Sequence, residues 1–261
     1  MISLPTFRGV LAGFNPLSLS PALWLNDTGS DPSVWTDISG NGRNAVQGNV
    51  GNRPAIITNA LNGKQVRRFD GVDDYLITAT ASDWTFLHYS TSSTFIVFRA
   101  GNVADPETLY ALCGTSVSVI TPGGAYYAHD TRSSASRDAA ILHVIGFGSA
   151  NTVNARQNAV AGNTWAIMSA IGDPQYYLPA NRSKIWSNGS GPTAANTESN
   201  PTNSNPPRHA LSIGSAQNSS STFASFLLGD IAEILVFPTA LSDVNRQKVE
   251  RYLSGKYAIA F

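Results

Sequence analysis

Short apolar runs bounded by Gly, Asn, Ser or Pro recur along the chain, and no other feature restricts its fold as much. The clearest are Thr94–Ala100 (TFIVFRA), Ile141–Phe147 (ILHVIGF), Thr164–Ile171 (TWAIMSAI), Ser183–Ser187 (SKIWS), Leu211–Gly214 (LSIG) and Phe226–Phe237 (FLLGDIAEILVF). Apart from the last they are about 4 to 8 residues long and rich in Val, Ile, Phe and Trp, which predicts strands. The last contains Gly229-Asp230, so it is either two strands joined by a turn or one long strand with a bulge. A fully apolar stretch such as FIVF marks a strand covered on both faces, as in a sandwich. Glu occurs only at positions 107, 198, 233 and 250, and Lys only at 64, 184, 248 and 256. A mostly helical protein draws on both for its exposed faces, so this scarcity also argues for strands.

One segment reads as a helix. Ser242 is placed to cap it, Asp243 suits its positive end, and VNRQKVERYLSGKY follows. Val244, Val249, Tyr252 and Leu253 are expected to share an apolar face, Arg246, Gln247, Glu250 and Arg251 to face water, and Gly255 to stop the helix. Two regions look irregular. Ser187–His209 has almost no apolar side chain and several Pro, which predicts a long surface loop. Residues 1–20 are apolar at Ile2, Leu4, Phe7, Val10, Leu11, Phe14, Leu17 and Leu19 without a sustained period, as an arm that tucks along its own domain or docks on another chain.

The 261 residues allow one large domain or two small ones, and no linker or repeat divides residues 21–261. Lys+Arg and Asp+Glu both total 17, so there is no basic face for nucleic acid. A single cysteine, Cys113, excludes a disulfide framework, and a buried small hydrophobe is its expected role. The first 20 residues lack the continuous apolar core of a signal peptide, and no run is long enough to span a membrane. Synthesis in a cytoplasm is therefore expected.

Three motifs appear in order: ALWLNDTGSDPSVWTDISGNGRNA from Ala22, RFDGVDDYL from Arg68 and GDIAEILVFPTALSDVNRQKVERYLSGKY from Gly229. Together they resemble the laminin-G-like jelly-roll domains of the concanavalin A-like lectin/glucanase superfamily, of the type found in bacterial surface proteins and bacteriophage virions. Asn163-Thr164-Trp165 and SKIWSNG are similar to that family's central strands. The resemblance spans roughly residues 21–258 and implies an all-β, two-sheet antiparallel jelly-roll sandwich with one C-terminal α-helix. Locally, Gly40 and Gly42 allow positive φ in a tight SGNG turn. Asp70-Gly71 reads as a hairpin turn between Val66–Phe69 and Tyr75–Ile77.

Some relatives on this fold are glucanases, and glycoside hydrolysis needs two carboxylates about 5 to 9 Å apart on one surface. Asp230 and Glu233 are three apart, which in a regular strand puts them on opposite faces. No catalytic residue is assigned. A Ser-based triad finds no GxSxG turn, and His143 reads as a sheet histidine. Many laminin-G-like domains bind calcium, and Asp37 and Asn41 supply hard oxygens, as do Asp73 and Asp74. Calcium-binding relatives often carry an acidic pair where this chain has Ala232-Glu233, so no metal ligand is assigned and calcium stays an open alternative.

Sugar binding needs an aromatic platform with polar neighbours. The candidates are Trp84 with His88 and Tyr89, Tyr126 and Tyr127 beside His129 and Asp130, Tyr176 and Tyr177 near Asn181 and Arg182, and Trp186 at the edge of the long loop. The expected protein is a non-enzymatic virion component, a capsid decoration or tail or fibre protein. Its lectin-like domain would bind host or environmental glycans, its arm would dock on other virion proteins, and its copies would be oligomeric or arrayed, with no nucleic-acid or membrane partner. A cement protein without sugar binding is the alternative, and a glycoside hydrolase a more distant one.

Overall fold

The computed structural model describes residues 13–101, 109–115, 124–130, 140–146, 152–158, 162–174, 183–194, 196–197, 207, 209–217 and 222–261. Every strand pair among them is antiparallel. One sheet runs in the order Ser190–Ala194, Ser183–Ser187, Ala166–Gly172, Ser92–Ala100, Leu228–Phe237, Lys64–Asp70, Ala55–Leu61, with Leu23–Leu25 also paired to Leu228–Phe237. The second runs Asn196–Thr197, Thr152–Asn158, Ala140–Gly146, Gly124–Asp130, Leu109–Gly114, Ser212–Ile213, Leu76–Thr78, Ala45–Val46, Val34–Trp35. The fold is the expected two-sheet antiparallel sandwich, and one helix, Asp243–Tyr257, follows the last strand.

Alternation along the central strands explains their fully apolar sequences. Ile96, Phe98, Ile234 and Val236 point inward with Leu23 and Leu25 to meet Leu112, Cys113, Ala125 and Tyr127 of the second sheet. Phe95, Val97, Leu235 and Phe237 point outward and meet Val249, Leu253 and Tyr257 of the helix. Both faces of FIVF are therefore covered, one by the partner sheet and the other by the helix. A 15-residue helix is marginal alone, and fully burying side chains such as Val249 and Leu253, at about 1.5–3 kcal/mol each, holds it in place.

Several local expectations change. Ser242 caps the helix as expected, its Oγ accepting from the Asn245 N–H at 3.4 Å. The helix does not stop at Gly255 but continues to Tyr257, with Ala258 at φ 55° closing it. Tyr257 is buried and donates to Glu233, which fixes the last turn and outweighs the roughly 1 kcal/mol that an interior glycine costs. Val244 is 65% exposed instead of joining the apolar face, while Arg246 and Glu250 are buried instead of facing water. They are buried as a pair: Arg246 Nη1 donates to both Glu250 oxygens at 2.6 Å, and its guanidinium lies 4.2 Å from the Trp186 ring centroid. Burial pushes the Glu250 carboxyl above its ordinary range.

Asp70-Gly71 does not turn a hairpin. Lys64–Asp70 belongs to the first sheet and Leu76–Thr78 to the second, so this segment crosses between layers. Part of the predicted polar loop is strand: Ser190–Ala194 lies at one sheet's edge and Asn196–Thr197 at the other's. Edge pairing uses backbone groups and needs no apolar side chains, so periodicity does not reveal it. Within the N-terminal arm, Phe14 and Leu19 pack on the outer core under the helix, and Phe14 meets Tyr252 edge-on at 6.4 Å. Residues 1–12 lie outside the described set.

Candidate functional site

The strand Leu228–Phe237 carries two acids, Asp230 and Glu233. Its pairing with Ser92–Ala100 shifts register between Ile231 and Glu233, with Ile231 opposite Phe98 and Glu233 opposite Val97. Ala232 is the extra residue of a bulge. Ile231 and Ile234 stay in the inner core while Ala232 lies in the outer one. The sequence-based expectation that Asp230 and Glu233 face apart is therefore overturned: the bulge puts both on the outer face of the first sheet.

Glu233 lies under the helix, fully buried. It accepts from Trp24 Nε1 at 2.6 Å, Tyr257 Oη at 2.7 Å, Lys256 Nζ at 2.7 Å and Tyr252 Oη at 3.3 Å. Lys256 also reaches Asp27 Oδ1 at 2.6 Å. Burial alone would lower the Lys256 ammonium, but Glu233 and Asp27 outweigh it and hold it above its ordinary range. Burial and then the Glu233 charge push both tyrosine hydroxyls upward, so they remain donors.

Asp230 lies beyond the helix. Arg68 and Arg99 are its cross-strand neighbours on either side. Arg68 donates from Nε to Oδ1 at 2.7 Å and from Nη2 to Oδ2 at 3.2 Å. Arg99 donates to Oδ2 from Nε at 3.1 Å and also from Nη2. The Arg99 guanidinium sits 5.1 Å from the Trp165 ring centroid. Arg68, Arg99 and Asp230 line a cavity of about 280 Å³ with Phe69, Gly101, Asn163, Leu228 and Gly229. Gly229 is required there, since a Cβ would come within 2.3 Å of the Arg99 carbonyl oxygen.

A second, larger cleft of about 510 Å³ lies where the 17–22 segment meets the SGNG turn, lined by Ser20, Ser39, Asn41, Arg43, Phe86 and Pro238 among others. Gly40 and Gly42 adopt positive φ there, as expected. Asp37 organises the turn. Its Oδ1 accepts from Trp24 N and Ser39 N, and its Oδ2 from Ser39 Oγ and Arg43 N, all within 3.0 Å. A carboxylate has about four acceptor positions and these four donors fill them. Asn41 Nδ2 donates to the carbonyls of Pro21 and Ala22 at 3.0 and 3.3 Å. The turn therefore does not fit a calcium ion.

The three acids Asp70, Asp73 and Asp74 offer oxygens within 4.8 Å of one another. Local backbone bonds account for part of this: Asp74 Oδ2 accepts from Asp70 N, and Asp70 Oδ1 from Val72 N and Asp73 N. Burial, with the Asp70 and Asp73 charges adding to it, pushes the Asp74 carboxyl up to about 6.

Among the described residues, most of the predicted aromatic platforms are enclosed. Trp84, Tyr127, His129 and Trp186 are all buried, so protein atoms already occupy the ring faces a sugar would need. Trp84 Nε1 donates to Thr78 Oγ1 at 2.9 Å, and His88 Nε2 lies 2.8 Å from Thr115 Oγ1. Thr94 donates to Tyr127 Oη at 2.9 Å, and His129 meets Phe98 at 6.0 Å. Tyr89 remains exposed. Tyr126 lies on the strand Gly124–Asp130 with its side chain, like that of Asp130, outside the described set, as are Tyr176, Tyr177, Asn181 and Arg182 altogether. Arg68 and Arg99 were missed. Arg99 is an outward charge on a mainly apolar strand, whereas Arg68 lies in the mostly polar run KQVRRFD, and only the sheet order sets both beside Asp230.

No protein-family model and no curated protein matches the sequence. Solved structures do. The structure of botulinum neurotoxin type C, which depends on interaction with two ganglioside molecules to get into cells, aligns at TM-score 0.61 and 12% identity over 89% of this chain and 51% of its own. The binding domain of botulinum neurotoxin DC in complex with SialylT aligns at 0.62 and 12% over 91% and 52%. Trypanosoma rangeli sialidase in complex with sialic acid aligns at 0.59 and 14% over 89% and 33%. The chain thus spans about half of the toxin structures and a third of the sialidase. At these identities the likeness establishes a lectin-like β-sandwich fold and no more.

Proposed function

We propose that this protein is a non-enzymatic glycan-binding component of a virion, a capsid decoration or a tail or fibre protein. The observation that carries the binding reading is the 510 Å³ cleft at the SGNG turn. It combines the partly exposed Phe86 ring with the Ser20 hydroxyl, the Oδ1 of Asn41 and the Arg43 guanidinium, which is held at one end by the Ala22 carbonyl and Asp83, a mixture of apolar and polar groups of the kind pyranose recognition uses. The toxin and sialidase structures that share the fold come from proteins that engage gangliosides or sialic acid, which favours the same ligand class here. The state of the two acids on the strand Leu228–Phe237 supports the non-enzymatic reading. A glycosidase needs one carboxyl able to give a proton and another able to reach the sugar. Asp230 is gripped by two arginines, and Glu233 is enclosed beneath the helix by four donors.

An array of neutral and acidic glycans probed with the full chain tests this. Reproducible binding to a subset, weakened by Arg43→Ala in a protein that melts normally, is the expected result. Repeated absence of binding to every glycan would leave the architectural cement role instead. Docking on other virion proteins is assigned to residues 1–12. Phe14 and Leu19 are already committed to the outer core, so deletion of residues 1–12, with the rest intact, is expected to reduce incorporation into particles. Normal incorporation would remove the arm from this role.

A further inference from the structure

We infer that the cavity at Arg68, Asp230 and Arg99 is a binding site for the carboxylate of an acidic sugar residue. The inference rests on the glycan-binding reading and places a charged contact at a second position, away from the SGNG cleft.

The charge balance points to an anion. Two guanidiniums share one carboxylate, which leaves one net positive charge among the described lining residues, and the acids of the turn Asp70–Asp74 border the cavity without lining it. A half-exposed cation pair held by one buried acid gains from a second anion at the mouth, where the dielectric is lower than in bulk water. The geometry leaves room for one. Each guanidinium has five N–H donors, and Asp230 engages two from each. The remaining donors belong to side chains 45% exposed at Arg68 and 30% exposed at Arg99, so an incoming ligand can reach them. Two planar guanidiniums fixed by a common acid match a carboxylate in the bidentate manner that a lysine pair would not. Trp165 beneath Arg99 and the Asp230 bonds beneath both hold these donors in place before a ligand arrives.

The remaining lining points to a sugar. Leu228, 37% exposed, supplies apolar surface, and the exposed Asn163 contributes an amide for hydroxyls. A volume of about 280 Å³ is at the small end of ligand sites, which suits one monosaccharide unit better than an extended chain. Gly229 and Gly101 keep that space: a Cβ at Gly101 would meet the Leu228 side chain at 2.8 Å.

The test is an NMR titration of the full chain with three probes: methyl glucuronide, methyl glucoside and acetate. The two glycosides differ only in carrying a carboxylate or a hydroxymethyl group, and acetate carries the charge without the ring. Methyl glucuronide is expected to bind at least tenfold more tightly than either, with shifts centred on Arg99, Asn163 and Trp165, and to weaken as salt is raised. Arg68→Gln leaves both Arg99 bonds to Asp230 in place and is expected to fold and lose about tenfold in affinity. Arg99→Lys keeps the charge but not the fork, and is expected to lose a similar amount. Equal binding of glucuronide and glucoside, equal binding of acetate and glucuronide, or full affinity in both variants would each overturn the inference. A glycan array on which neutral glycans bind and acidic ones bind no better sinks this site and leaves the glycan-binding reading standing. An array with no binding sinks both.

Discussion

Asp230 and Glu233 occupy one strand and one face, yet they belong to different kinds of environment. Glu233 is roofed by the helix and receives a tryptophan N–H, two tyrosine hydroxyls and a lysine, of which only Tyr252 and Lys256 are partly exposed. Asp230 is equally buried, but its two partners reach out to a cavity at the open end of the sheet. The bulge at Ala232 makes both acids outward-facing, and the helix then decides their fates by covering one and leaving the other at its margin. A carboxylate on this strand is thus structural or available according to coverage, and residue type alone carries little information about role.

Substitution at the covered acid is the most damaging way to probe that contrast. Glu233→Ala leaves Lys256 buried with only Asp27 and strips the acceptor from Trp24 and Tyr257, so a loss of about 3–5 kcal/mol in urea unfolding is expected. Asp230→Ala is expected to cost less, about 2 kcal/mol, because Arg68 and Arg99 are partly exposed and water can solvate them once the acid is gone. If the two losses are equal, coverage by the helix does not separate the two ends, and the distinction drawn between them fails.

How much of this was legible beforehand differs by level. The runs TFIVFRA and SKIWS appear as strands because their side chains are buried on both faces, and burial writes itself into composition. The Ser242 cap was legible from local chemistry. The bulge at Ala232 was not, since it depends on the register with Ser92–Ala100, and one unpaired residue leaves no mark in hydrophobic pattern. The same holds for Glu250 and Arg246, two charges that a helical wheel sends to solvent and that Trp186 and their mutual bond bring inside. Trp84, Tyr127 and His129 looked like sugar platforms because polar residues flank them. Trp84 is held instead by Thr78 six residues before it, and Tyr127 and His129 by cross-sheet contacts with Thr94 and Phe98, whose place in the other layer the sequence does not show. Arg68 and Arg99 become a pair only through an acid some 130 to 160 positions away.

The smallest effect concerns the acidic turn that borders the open end, where Asp70 pairs across to Leu228 and Gly71 packs against that leucine. Asp74 is held up to about 6 by burial and by its two acidic neighbours, against an ordinary value of 3.8. Between those values the folded state binds the extra proton, so the slope of unfolding free energy with pH is negative. The stabilisation is complete below about pH 4 and is lost as pH rises to about 6. Discounted for solvent screening at this half-open turn, the loss amounts to about 1 kcal/mol. Asp74→Asn is expected to flatten that part of the stability curve, measured by urea unfolding at several pH values. Glu250, raised by burial at the covered end, has the same sign, so a residual decline in D74N with rising pH is expected from the helix. An unchanged decline in D74N would assign the whole effect to the covered end and would leave the acidic turn as a solvated crossover with no electrostatic tension of its own.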